Sequence, residues 1–372
     1  MLSLVVTSVP PREMRLLLDG LAARFGGNAR AVVEVAAALE RRNDVDDVWV
    51  IAGEGSIVAE EVCRRGLRLV APSPLVAAKI PLRLGWTALR LPAIAKNLEA
   101  GALLSFSGIL PRRPSRPVIS LVSSSVPFES RASRRNLRRL AITRTVRRSS
   151  AVYVPSRHMG NLLGVSNARV VPWGVDRQLF RPNSHVGSEV LCVADFYPHK
   201  RHDLVLEAWL RLTEPRPVLR VVGDPAVDRK YFETFARKTR SHHGVIVEGP
   251  LPYSEMARRY QAARTIVIAS EFESFCMPLA EAMACGVPAV ARDHPALRET
   301  GGAGATYVDG SHPGQWADAI KAVCQGDERH SSLRSAALKE AQRFSWDDVA
   351  GTVVSDCRAL RPKPREHPPV AE

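Results

Sequence analysis

An α/β fold built as two successive layered halves is what this sequence predicts, and three observations carry that expectation. Short apolar runs of strand length alternate with longer segments of helical periodicity along most of the chain. At 372 residues the chain is long enough for about two domains, and a polar, turn-forming stretch at residues 182–188 marks where one half gives way to the next. Residues 270–288, SEFESFCMPLAEAMACGVP, bring a strand end, a loop and a helix N-terminus together. In an open α/β sheet that junction is where ligands bind.

In chain order, residues 2–7 (LSLVVT) read as a first buried strand. The lack of a basic start and the following Pro10 and Pro11 argue against a signal peptide. Phe25-Gly26-Gly27-Asn28 then leads into a helical pattern over residues 31–41. Residues 48–52, 67–71, 102–106, 118–122 and 151–155 are further strands, which makes this half Rossmann-like. Asp44-Val45-Asp46 spells a D-x-D, but it precedes a strand and reads as a solvated turn. Arg131, Arg134, Arg135, Arg138, Arg139, Arg144, Arg147 and Arg148 follow with no acid between them, and Leu137, Leu140, Ala141, Ile142 and Val146 interleave at partly helical spacing. That pattern is either a solvated helix face or a basic amphipathic surface that meets anionic lipid.

The second half repeats the alternation, with strands at residues 190–194, 219–223, 244–249 and 265–269 and helices near 201–211 and 316–324. In the central stretch Pro278 sits where a first helical turn favours it, Gly286 is a natural C-terminal cap, and Pro288 prevents continuation. The free N–H groups of such a helix start attract phosphate. Glu273 in the loop and Glu281 one turn into the helix do not, so they address hydroxyl groups instead. Phosphate-binding amides flanked by two hydroxyl-binding carboxylates suit a nucleotide sugar. Either glutamate alone reads as a solvated side chain or a helix-dipole partner.

Composition narrows the classes. The apolar fraction of 45% is ordinary for a globular protein, whereas a net charge of +14 and a pI near 10 call for an anionic partner. No apolar run approaches the roughly 18 residues of a spanning helix. Six cysteines lack any C-x-x-C and read as reduced packing thiols, which argues against a structural zinc site. The tail beyond residue 362 is Pro-rich and predicted disordered.

The central stretch resembles the E-x7-E signature of glycosyltransferase family 4, retaining enzymes of the GT-B fold. Glu273, Phe275, Pro278, Glu281, Gly286 and Pro288 match, while Ser274 and Cys276 replace glycines of the common form. Val170-Val171-Pro172-Trp173-Gly174-Val175-Asp176, with Phe180 and Pro182, resembles the segment closing the family's N-terminal domain, Trp173 replacing Asn. The loop from Asp195 to Lys200 resembles the segment whose Arg and Lys grip the donor diphosphate. Lys200 matches, Asp195 stands in place of the Arg, and Arg201 is the candidate substitute. Phe344-Ser345-Trp346-Asp347 resembles the start of the family's last helix. The likeness covers nearly all of the second half and the first half in outline.

The resemblance implies a GT-B architecture with Rossmann-like domains at 1–182 and 183–345. A C-terminal helix at 346–361 returns to the first domain, and the active site lies in the interdomain cleft. It implies retaining transfer of a hexosyl group from a nucleoside diphosphate donor to an acceptor hydroxyl, with no metal and no cofactor. Lys200 and the amides around residues 275–279 would stabilise the departing diphosphate. Glu273 would hold the donor sugar, and Glu281 the ribose. Gly26, Gly27, Arg201, Leu251, Ser274, Phe275, Cys276, Met277 and Leu279 complete the implied donor site. The expected partners are a nucleotide sugar, a glycan or lipid-linked acceptor, and an anionic membrane surface met by Arg131, Arg134, Arg135, Arg138 and Arg139. The expected location is cytoplasmic, at the inner membrane face. A nucleotide-sugar 2-epimerase of the same fold, a noncatalytic homologue and a nucleic-acid binder stay open as alternatives, although the basic run lacks the aromatic interleaving of a nucleic-acid surface.

Overall fold

Two parallel sheets organise the chain. The computed structural model describes residues 14–23, 26–106, 110, 116–129, 137–166 and 168–360. The first sheet has strands β1 (Arg15–Asp19), β2 (Asp47–Ile51), β3 (Arg68–Val70), β4 (Ala102–Ser105), β5 (Val118–Leu121), β6 (Ala151–Val154) and β7 (Ala168–Val170) in the order β3-β2-β1-β4-β5-β6-β7. The second has β8 (Glu189–Val193), β9 (Leu219–Val222), β10 (Val245–Glu248), β11 (Ala263–Ile268), β12 (Ala289–Arg292) and β13 (Ala305–Val308) in the order β10-β9-β8-β11-β12-β13. The strands run three to six residues, and inner ones such as β4, β9, β11 and β12 are mostly Val, Ile, Leu and Ala and largely buried, as a helix-covered parallel sheet demands. Both strand orders reverse direction once, beside β1 and beside β8, which makes each sheet doubly wound.

Differences from the sequence reading are local. The strand expected at residues 2–7 lies outside the described residues, and β1 is instead RLLLD at Arg15–Asp19. Strands β7 and β12 were not anticipated. The tail beyond residue 362 also lies outside the described residues, as do Arg131, Arg134 and Arg135. Arg138 and Arg139 fall on the helix Leu137–Val146 and are exposed.

The chain packs as two compact units, one comprising the residues up to Leu121 with Ala141–Val152 and the chain from Ala350, the other Val122–Leu140 and Tyr153–Val349. In the first unit a core of Leu17, Leu21, Ile51, Leu91, Leu103 and Val118 sits under the helix Ile80–Asn97. There the D-x-D carboxylates are structural, because Asp44 is held by Arg42 and Arg358 at 2.8 and 2.9 Å, and Asp46 accepts the Met14 amide at 2.8 Å. In the second unit the core gathers Phe196, Leu204, Trp209, Phe235, Trp316 and Ile320. The turn at Trp173 and Gly174 packs on the FSW segment, with Trp173 6.1 Å from Trp346. A Cβ on Gly174 would lie 2.3 Å from the Trp346 nitrogen, so only glycine fits there.

Candidate active site

The central stretch is built by two tight backbone features. After β11 the loop runs to Cys276, which has φ +74° and directly precedes the helix Met277–Ala284. This is the left-handed conformation that glycine supplies without strain and an L side chain does not. Gly286, at φ +72°, closes the helix, and the Val287 amide returns to the Ala282 carbonyl at 2.9 Å. Phe275 is buried edge-on against Phe344, with ring centroids 5.2 Å apart, and its carbonyl accepts the Thr300 hydroxyl at 2.6 Å. The Ser274 hydroxyl donates to the Ser123 carbonyl. Pro278 has no N–H, and the Leu279 and Ala280 amides donate to the Cys276 carbonyl at 3.1 and 3.4 Å. The Cys276 and Met277 amides have no acceptor among the described residues.

Lys200 comes to this junction from the loop after β8. Its Nζ donates to Glu273 Oε1 at 2.7 Å, and the two side chains are only 20% and 10% exposed. Burial opposes the ammonium, but Glu273 and then Cys276 beside it outweigh that and raise its pKa, so Lys200 is charged. Burial raises the pKa of Asp195, earlier in the same loop; the nearby Lys200 charge acts in the opposite direction. The short turn Pro198–Lys200 ends on Arg201, itself at φ +54°. The Arg201 guanidinium is held by Asp203 at 3.2 Å and Glu271 at 2.8 Å, so two carboxylates already match its charge. It lines a cavity of about 560 Å³ with His199, Asp203, Tyr231, Glu271 and Phe272.

Glu281 is 6% exposed, and its carboxylate has structural partners. The Tyr253 and Tyr260 hydroxyls donate to its two oxygens at 3.0 and 2.8 Å. Phe180 packs edge-on to both rings, at 4.9 and 5.6 Å. The sequence reading missed these tyrosines, although their seven-residue spacing is two helical turns and puts them on one face of Tyr253–Ala262. Leu251 is half-buried in the loop after β10. In the first unit, Gly26 (φ +62°) and Gly27 open the exposed start of the helix Gly26–Glu40.

A second cluster was not visible in the sequence, because its members are far apart along the chain. Glu129 Oε1 accepts His158 Nε2 at 2.7 Å and His294 Nε2 at 3.0 Å. Burial pushes the Glu129 carboxyl up, but hydrogen bonds from His294, Ser125 and His158 outweigh it and hold the pKa below the usual value. Among the described residues this is the set whose ligand atoms are close enough to hold a cation. Its chemistry favours protons. The Ala296 amide donates to His294 Nδ1 at 3.2 Å, which leaves the neutral ring's proton on Nε2, facing Glu129. Glu299 accepts the Arg157 and His158 amides at 2.7 and 2.8 Å and so fixes the start of the neighbouring helix.

Residues 181–340 match the glycosyl transferases group 1 family. The chain is 29% identical over 223 residues to a D-inositol 3-phosphate glycosyltransferase of Catenulispora acidiphila, covering 53% of each chain. It is 30% identical over 217 residues to one of Frankia alni, covering 52% of this chain and 53% of the other. It thus spans about half the length of the curated relatives it matches. Among solved structures it resembles Anabaena Alr3699/HepE in complex with UDP-glucose, with a TM-score of 0.79 at 15% identity over 93% of this chain and all of that one. It also resembles sucrose-phosphate synthase from Thermosynechococcus elongatus, with a TM-score of 0.76 at 18% identity, covering 93% and 99%. At these identities the likeness is one of fold, and the fold is GT-B.

Proposed function

The chain belongs to the group 1 glycosyl transferases through residues 181–340, and from that premise we propose that it moves a sugar from a nucleoside diphosphate donor to an acceptor hydroxyl, with retention of anomeric configuration. The observation that carries this reading is the Lys200–Glu273 pair at 2.7 Å, beside a helix start whose Cys276 and Met277 amides lack an acceptor. Lys200 and those amides meet the diphosphate, whose negative charge grows as the glycosidic bond breaks, so their stabilisation increases toward the transition state. Glu273 accepts hydrogen bonds from donor sugar hydroxyls while orienting Lys200. Glu281 accepts from the ribose, its carboxylate aimed by Tyr253 and Tyr260. Leu251 completes the donor contacts by a backbone group. Arg201 reaches the diphosphate only by leaving Asp203 and Glu271. The acceptor is a glycan or lipid-linked hydroxyl, and the arginines from Arg131 to Arg139 face an anionic surface.

Incubation with a panel of nucleotide sugars and candidate acceptors, with release of the nucleotide as the signal, tests the reading. One donor should support release that depends on the acceptor. Conversion of the nucleotide sugar to its 2-epimer without release would replace this reading with the epimerase, and silence across the panel would leave a noncatalytic binder.

A further inference from the structure

A threonine inside a helix can turn its hydroxyl back to the carbonyl four residues earlier. Thr300, in the helix Pro295–Gly301, sends it elsewhere. The hydroxyl donates at 2.6 Å to the Phe275 carbonyl, in the loop that leads into Met277–Ala284. Thr300 and Phe275 are both buried, so water does not compete for that carbonyl. The carbonyl and the Cys276 amide belong to one peptide group. That group is trans and planar, so its oxygen and its N–H point in opposite directions. Fixing the oxygen therefore fixes the direction of the Cys276 N–H, which has no acceptor among the described residues. Cys276 also sits at φ +74°, a conformation that persists only where its surroundings hold it.

Thr300 is itself held on several sides. Arg343 Nη2 donates to the Glu299 and Thr300 carbonyls at 2.7 and 3.1 Å. Its guanidinium lies over the Phe344 ring, 5.0 Å from the centroid, and Phe344 packs on Phe275. Hydroxyl, carbonyl, rings and guanidinium thus close a circuit around the loop. A Cβ on Gly301 would lie 2.7 Å from the Tyr307 hydroxyl and 3.3 Å from Leu279 Cδ2, so the helix Pro295–Gly301 sits directly against Met277–Ala284. At the other end His294 caps the helix and is anchored by Glu129 at 3.0 Å. Two further bonds hold the same loop. The Glu271 amide donates to the His199 carbonyl at 2.8 Å, and the Ser274 hydroxyl donates to the Ser123 carbonyl. Neither reaches the peptide group between Phe275 and Cys276, and the Thr300 hydroxyl does.

We propose that Thr300 is a positioning residue for the departing diphosphate: through the Phe275 carbonyl it aims the Cys276 amide at the phosphate oxygens. The inference rests on the transferase reading, which supplies the diphosphate. Three variants test it. Thr300→Val keeps the branched shape and removes the donor, Thr300→Ala removes the donor without setting a methyl against the carbonyl, and Thr300→Ser keeps the donor. An amide that stabilises growing charge acts on kcat. In the valine and alanine variants kcat should fall about tenfold with little change in donor KM, short of the roughly 10²–10³-fold lost with an oxyanion donor itself. Thr300→Ser should stay close to the wild type. Inorganic pyrophosphate added to ¹⁵N-cysteine-labelled protein reads the amide without turnover. The chain has six cysteines, and the Cys276 cross-peak is the one missing from Cys276→Ser. Pyrophosphate should shift that cross-peak in the wild type and Thr300→Ser, and much less in the valine and alanine variants. No shift in the wild type overturns the diphosphate reading and this proposal with it. A full shift in the valine and alanine variants, or an equal loss of kcat in Thr300→Ser, overturns the proposal and leaves that reading standing. A lower melting temperature with kcat, KM and the cross-peak unchanged makes the hydroxyl a structural bond only, and overturns it as well.

Discussion

At Cys276 the backbone holds φ +74° although the residue is not glycine, and its side chain is buried. A left-handed L-residue costs about 1–2 kcal/mol. Cys276→Gly should therefore be more stable than Cys276→Ala by about 1 kcal/mol in urea unfolding, the reverse of the usual order. Equal stabilities would mean that the loop relaxes around any side chain. Lys200 allows a kinetic prediction. Lys200→Met keeps the bulk but removes the charge, so kcat should fall by about 10²-fold, as on loss of an oxyanion donor, with a smaller change in donor KM. A rise in KM at unchanged kcat would place Lys200 in ground-state binding instead.

The element that presents Lys200 depends on a neutral histidine. His202 opens the helix His202–Trp209, is fully buried, stacks on Phe196 at 4.4 Å, and its Nε2 lies 3.1 Å from the Ala194 carbonyl, to which it donates when it carries the proton. Burial pushes its pKa down to about 4, and the Lys200 charge adds to that. Between pH 6.5 and about 4 the unfolded chain takes up a proton at this position and the folded one does not. Its contribution is complete above pH 6.5 and is lost as pH falls toward 4, by up to about 3 kcal/mol. Urea unfolding across that range should show the slope, and His202→Gln, which keeps a donor for Ala194, should flatten it. An unchanged slope in the variant would assign the acid loss to other groups.

Legibility in the sequence follows the same division. Strands such as Glu189–Val193 and Leu219–Val222 were readable because a buried parallel strand needs a continuous β-branched or aliphatic run. β12 (AVAR) and β7 (ARV) are too short and too poor in such residues to stand out. Lys200, Glu273 and Glu281 were readable because each sits in a local strand–loop–helix pattern. The partners that aim them were not. Tyr253 and Tyr260 meet Glu281 only through helix packing, and Glu129, His158 and His294 meet only through the fold. The placement of Arg201 between Asp203 and Glu271 is likewise a tertiary fact.

For the whole molecule, part of the net charge of +14 lies in the arginines on and before Leu137–Val146. In the proposed reaction, diphosphate neutralisation rests on Lys200 and backbone amides, while Asp44 and Asp46 are occupied by Arg42, Arg358 and the Met14 amide. Transfer should therefore proceed unchanged in EDTA, and a complete loss restored by Mg²⁺ or Mn²⁺ would contradict this. The division of labour between the two carboxylates is the centre of the account, and calorimetry on folded variants reads it directly. Glu281→Gln, which keeps partners for the two tyrosines, should weaken bare nucleoside diphosphate binding about tenfold, since a charged acceptor is replaced by a neutral one. Glu273→Gln should leave bare-nucleotide binding nearly intact and weaken only the intact nucleotide sugar. Equal loss of bare-nucleotide affinity in both variants would contradict the assignment of Glu281 to the ribose and Glu273 to the sugar.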